Sequence, residues 1–259
     1  MEFQDVRDIA IYGTDCVVDI SRGSDETTRF ISAKEKYFDI KADNGLLTVT
    51  QKSRNIFYRI IMRRFEFKLV LPRSFKGKLR FRNKNGGLYI NDAEFSDVEL
   101  STANGKFDLC NTSCHSFSLK MSNGSVNVKN MTAAESAAVK CANGNIRFES
   151  VKAPQLTISC SNAGLTAIDI TSKKFDCSTS NGTIDASAVA ADETKLETSN
   201  GKINAMFIGN RNDHRLCAET THGAITIDGV PFKNISDVSR TDKRINVKTS
   251  NGDIDVRFM

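Results

Sequence analysis

The dipeptide Asn-Gly recurs along this chain at 44, 85, 104, 123, 143, 181, 200 and 251, and Asn162 and His222 fill two gaps in the series. From 85 onward the steps are 19, 19, 20, 19, 19, 19, 22 and 29 residues. A fixed period of this kind is the signature of a repeat architecture, in which each unit buries its face only against its neighbours. One Asn-Gly between alternating apolar residues would signal a two-residue hairpin. Eight of them in near-constant register demand another reading.

Set the Asn position to zero. Six residues before it stand Val98, Phe117, Ala137, Leu156, Phe175, Thr194, Leu216 and Ile245. Three after it stand Phe107, Val126, Ile146, Leu165, Ile184, Ile203, Ile225 and Ile254. Positions −4, −2 and +5 are also apolar or small, and the positions between are mostly Ser, Lys, Asp, Asn, Glu and Thr. Alternation with period two marks strands with one buried face. Parity alone does not separate a hairpin array from stacked coils. The third segment favours coils, because +8 repeats an apolar residue (Thr112, Met131, Val151, Ile170, Val189, Ile208, Val230) and +10 a mostly small one, ending at Phe232. Like residues stacked at the strand spacing of about 4.8 Å would form ladders.

The pattern predicts an all-β chain. It is a single-stranded parallel β-helix, or β-solenoid, with coils of about 19 residues, wound right-handed by the usual rule for parallel crossovers. The alternative is an antiparallel array of repeated hairpins. Residues 1–36 read as an irregular cap or first strands, and residues 37–259 as the solenoid, regular from about 79. An insertion at about 230–244 is a candidate cap, and the whole is expected to be one continuous domain. The Asn-Gly positions are expected at corners, where residues tolerant of positive φ are favoured. The corner ladder is then Asn44, Asn85, Asn104, Asn123, Asn143, Asn162, Asn181, Asn200, His222 and Asn251.

The motifs "LTVTQK", "KLVLPRSF" and "FRNKNGGLYI", followed by repeated "TSNGxIxV" units, resemble the bacterial putative-adhesin β-solenoid domains of unknown function. The resemblance covers about residues 37–259. It implies a surface or binding role and carries over no catalytic residue.

Charge narrows the choice of partner. The net charge is +5, yet residues 51–84 hold twelve Lys or Arg against Glu66, a local +11, so the remainder carries 5 − 11 = −6. Arg54, Arg59, Arg63, Arg64, Lys68, Arg73, Lys76, Lys78, Arg80, Arg82 and Lys84 are the candidate anion-binding residues. Strand alternation turns the interleaved Phe residues inward and the cations outward. Such a stripe either protects a sheet edge or meets a polyanion, whether lipid headgroups or an envelope polymer. Nucleic acid is disfavoured, because no recognition motif is present.

An enzyme is the competing class, since carbohydrate-active β-helices place acids on one outer face. Outward position +4 reads Asp108, Asn127, Arg147, Thr166, Asp185, Asn204, Thr226 and Asp255. In sequence order Asp108 and Asp185 lie four coils apart, about 19 Å, too far for a glycosidase pair. The three histidines fall in different columns, so no Ser-His-Asp set is supported. No metal or cofactor is expected: the seven cysteines form no CxxC pair, and Cys110, Cys114 and His115 have no second ligand pair. The reading is a non-enzymatic binding or scaffold protein, with self-association through solenoid ends or faces allowed, and a self-assembling cytoplasmic solenoid as a further alternative. No apolar run is long enough for a transmembrane helix. The N-terminus lacks the pattern of a secretory signal, which points to the cytoplasm if Met1 is the native start and to the surface by resemblance.

Overall fold

Alternation of apolar and polar residues is followed along almost the entire chain. The computed structural model describes residues 1–52, 65–236 and 241–259; Arg54, Arg59, Arg63 and Arg64 lie outside the described residues. Among those described there are eighteen strands, two short 3-10 turns and no α-helix, hence no helix able to cross a membrane. Two compact units, Met1–Ser125 and Val126–Met259, divide the chain. Columns −6, −4, +3 and +5 are buried in every repeat from 98 onward, Thr194 included, because strand alternation sends all four to the same side.

In the first unit the strands are β1 (Glu2–Phe3), β2 (Asp8–Tyr12), β3 (Asp15–Arg22), β4 (Thr28–Ile31), β5 (Phe38–Asp43), β6 (Leu46–Gln51), β7 (Phe65–Leu71), β8 (Leu79–Glu94) and the first part of β9 (Asp97–Lys152). β8 and β9 run parallel in register, Asn85 opposite Asn104 and Leu88 opposite Phe107, an offset of 19. On the other side of β8 lie β2 and β3, also parallel, with Ile9 opposite Leu79 and Asp15 opposite Asn85. β3 is thus held between β8 and β7, and β2 between β8 and β6.

This placement differs from the expected cap. "IAIYGTDCVVDI" supplies the repeat next to residues 79–94, with Asp15 in the Asn column. Asn44 is not in that column: it sits with Gly45 in a two-residue turn joining antiparallel β5 and β6, Asp43 opposite Leu46. Both turn residues have positive φ, 50° and 83°, as a type I′ hairpin requires. Here the local hairpin signal meant what it ordinarily means.

In the second unit the end of β9 is followed by β10 (Gln155–Asn181), β11 (Ile184–Asn200), β12 (Ile203–Phe207), β13 (His214–His222), β14 (Ile225–Ile227), β15 (Val230–Phe232), β16 (Ile235–Ser236), β17 (Lys243–Asn251) and β18 (Ile254–Phe258). β10 lies parallel to β9 and β11 to β10, again offset by 19, Leu165 opposite Ile184. Then the order breaks. β17 pairs with β11 on one side and β13 on the other, and β18 lies between β12 and β14. The last repeat in sequence is inserted before the one that precedes it. The segment 230–236 folds back antiparallel, β15 on β14 and β16 on β13. Consequently Val230 and Phe232, expected on a buried third side, are exposed, and so is Ile208 after β12.

Candidate binding face

The Asn column is a chain of side-chain hydrogen bonds. In the first unit Asn123 Nδ2 donates to Asn104 Oδ1 at 2.9 Å, Asn104 to Asn85 at 2.9 Å, and Asn85 to the Asp15 carboxylate at 2.8 Å. All donors point the same way, and Asp15 ends the row as a charge-assisted acceptor, the arrangement in which aligned amides polarise one another favourably. In the second unit Asn162 donates to Asn143, Asn181 to Asn162, Asn200 to Asn181 and Asn251 to Asn200, at 2.7–2.8 Å. His222 stands opposite Asn251 in register.

None of these Asn residues has positive φ. The left-handed residues form another column, seven positions on: Asp92, Asn111, Asn130, Ser150, Asp169 and Ala188, with φ of 50–55°. Asn and Asp are favoured there because their short polar side chains hydrogen-bond locally, as Asp92 does by accepting from Asn91 Nδ2 at 2.7 Å; Asn111 Nδ2 also donates to Asp92 in the neighbouring coil at 2.8 Å. The sequence carries this signal as an Asn/Asp-rich column at +7 from Asp92 to Asp169. Glycine beside the ladder Asn has two causes: Gly86, Gly124, Gly144 and Gly182 have positive φ of 124–150°, and the neighbouring backbone crowds the row. A Cβ on Gly201 would lie 1.9 Å from Gly182 O, and one on Gly252 2.0 Å from Gly201 O. At Gly201 and Gly252 the neighbouring backbone leaves no room for a side chain, although Ala163 carries one in the same row opposite Gly144.

Of the described cations of the basic segment, Lys76, Lys78 and Arg80 are ion-paired, whereas Lys68, Arg73, Arg82 and Lys84 form no ion pair among the described residues. Lys76 pairs with Glu94, and Lys78 and Arg80 share Glu99 at 2.6 and 3.1 Å. Lys68 lies outward beside Asp19 in register, and the Arg73 backbone N–H bonds Asp25 O. Arg82 and Lys84 project outward from β8, and no carboxylate among the described residues pairs with either. Both line one recess of about 360 Å³ with Tyr12, Gly13, Thr14, Thr50, Gln51 and Asn83. Its floor is fixed: Gln51 Oε1 accepts the backbone N–H groups of Thr14 and Asp15 at 2.8 and 2.9 Å, and Asn83 Nδ2 donates to Cys16 O at 2.8 Å. The arrangement offers two cations and three hydroxyls on a rigid base.

The outer +4 column is also reordered. Asp185, Asn204, Asp255 and Thr226 are successive neighbours, so Asp185 and Asp255 are two strand spacings apart, about 10 Å, rather than widely separated. Asn204 Nδ2 donates to Asp185 at 2.5 Å; Thr226 Oγ1 and Arg257 donate to Asp255, both at 2.9 Å. Burial pushes the Asp255 carboxyl up, but the Thr226 hydroxyl and Arg257 hold it below the usual carboxylate range. An ionised Asp255 is no general acid, which requires a raised value. Cys110, Cys114 and His115 form no metal cluster: among the described residues no group of three or more His, Cys, Asp or Glu is placed to hold an ion.

Against this geometry stand the comparisons with known proteins. The model of the Toastrack DUF4097 family matches residues 6–257. No curated protein matches the chain. Among solved structures, a putative lipid binding protein from Parabacteroides distasonis ATCC 8503 is similar at 12% identity, over 100% of this chain and 95% of that one, with a TM-score of 0.50. A putative adhesin from Bacteroides fragilis NCTC 9343 is similar at 10% identity, over 100% and 95%, with a TM-score of 0.49. At these identities the likeness concerns the fold.

Proposed function

The chain belongs to the Toastrack DUF4097 family, and from that membership we propose that it is a non-enzymatic binding protein whose outer sheet faces meet an anionic partner. The fold in this reading is a parallel β-solenoid of about 19-residue coils, right-handed by the usual rule. The partner is an envelope polymer or lipid surface carrying phosphate or carboxylate groups. One observation carries the reading: Arg82 and Lys84 line the same recess as Tyr12, Thr14 and Thr50 and have no carboxylate partner among the described residues. Charge left unneutralised beside hydroxyl donors suits a phosphate-like anion. The names adhesin and lipid binding belong to the similar structures; for this chain the support is its own cations.

The test is sedimentation with vesicles of phosphatidylglycerol in phosphatidylcholine, beside a pull-down on soluble teichoic acid. Binding to one or both should fall steeply between low and physiological salt. Arg82→Ala with Lys84→Ala should weaken it by about 30-fold, at roughly 1 kcal/mol per surface cation. Binding that ignores both salt and the double substitution would sink the proposal.

A further inference from the structure

Position −2 of the repeat holds an inward hydroxyl in most coils of the second unit. Thr198 Oγ1 donates to Gly182 O at 3.1 Å and Thr249 Oγ1 to Gly201 O at 3.0 Å. In two adjacent coils the residue is cysteine instead. Cys141 and Cys160 are in-register neighbours on parallel β9 and β10. Both are 7% exposed, and both line a recess of about 650 Å³ open to the outer face, with Lys140, Ser159 and Ser161. A small reagent therefore reaches them, whereas Cys177 is enclosed. Strand spacing sets their Cα atoms about 4.8 Å apart, inside the disulfide range of about 4.4–6.8 Å. Their side chains leave the sheet on the same side.

We propose that Cys141 and Cys160 form a redox site: peroxide joins them in a disulfide across adjacent strands, and a small thiol reopens it. Cys141 Sγ donates to Asn143 O at 3.3 Å, and the adjacent Cys160 thiol eases ionisation of Cys141 while its own is hindered, because a Cys141 thiolate can accept the Cys160 S–H. Cys141 is accordingly the attacking group. Its thiolate displaces hydroxide from hydrogen peroxide; the hydroxide takes the thiol proton and leaves as water, and Cys141 becomes a sulfenic acid. The Cys160 sulfur then attacks the Cys141 sulfur, the S–O bond breaks, and the hydroxyl departs with the Cys160 proton as a second water. Two thiols lose two electrons and one peroxide gains them. Parallel side chains at strand spacing hold the Cβ atoms somewhat wider than an unstrained disulfide prefers, and such strain makes the bond easier to reduce.

The experiment treats the full chain with hydrogen peroxide, blocks remaining thiols with iodoacetamide, and maps the peptides. The expected result is a loss of two hydrogens, a cross-link joining the Cys141 and Cys160 peptides, a rise in Tm, and reversal of all three by dithiothreitol. Cys160→Thr keeps the residue type of the column and should fold. In that variant dimedone should trap the sulfenic acid on Cys141, with no cross-link. Retention of both thiols at peroxide levels that oxidise the more exposed Cys217, or a cross-link from Cys141 to any other cysteine, would overturn the proposal.

Discussion

Asn251 Nδ2 donates to Asn200 Oδ1 at 2.7 Å across 51 residues of chain. The Asn–Asn bonds from Asn85 to Asn123 and from Asn143 to Asn200 each span 19 residues. The long step exists because the coil containing His222 lies outside its successor. Deleting residues 210–241, 32 in all, would restore the common step, 51 − 32 = 19. It would also leave three residues between Phe207 and Lys243, as between Ala188 and Asp192. The shortened chain is expected to fold with the same circular dichroism. It would also associate, because β17 and β18 lose β13 and β14 on their outer side and become a bare edge. A monomeric shortened chain in analytical ultracentrifugation would contradict this account of the outer coil.

The glycine row separates two neighbouring substitutions. Gly201→Ala drives a methyl against Gly182 O and should cost about 1–3 kcal/mol or more, the range of overpacking. Gly164→Ala meets only the Asn145 side chain at 3.5 Å and should change stability by less than about 0.5 kcal/mol. Urea midpoints of the two proteins check the contrast; equal midpoints would show that backbone approach does not explain these glycines.

Ala188 occupies a left-handed position, φ 53°, without the local hydrogen bond that Asn or Asp supplies. Ala188→Gly and Ala188→Asn should each raise stability by up to about 1 kcal/mol, part of the roughly 1–2 kcal/mol that this conformation costs an L-residue. A lower thermal midpoint in both proteins would show that the strain is relieved elsewhere.

Thr194 stands in an otherwise apolar column, and its Oγ1 is buried without a hydrogen-bond partner. Thr194→Val keeps the shape and removes an unsatisfied hydroxyl, for a gain of about 1 kcal/mol. A loss measured by denaturant titration would reveal a partner for that oxygen.

The columns were legible because burial repeats with the backbone: Ile184 and Ile203 occupy the same core position and look alike in the sequence. The order of the coils was not. Any coil with Asn at zero can stack on any other, so Asn251 fits Asn200 as well as His222 does. The first coil was hidden by its own zero position, Asp15 followed by Cys16 rather than Asn-Gly. Yet Ile9, Ile11, Val18 and Ile20 fill columns −6, −4, +3 and +5. At Asn44 the alternation suits hairpin and coil equally. The binding face was legible as a run of cations. Which of them are neutralised depends on Glu94 and Glu99, one coil away, and no local pattern reports that.

Glu99 links that neutralisation to stability and binding. Hydrogen bonds from Lys78 and then Arg80 hold its carboxyl below the ordinary value of 4.5. A lowered folded pKa contributes stability that is fully present above the ordinary value and is lost as pH falls through the folded one. Glu99→Gln should therefore lessen the loss of stability on acidification below about pH 4.5, while costing little at that pH and below. It also frees Arg80, which faces outward on β8 like Arg82, and Lys78. On the anionic vesicles described above, the variant should bind about fivefold more tightly for one negative charge removed, with a steeper salt dependence. Tighter binding without a changed acid limb would mean that Glu99 acts on the partner alone; unchanged binding would remove Arg80 from the face.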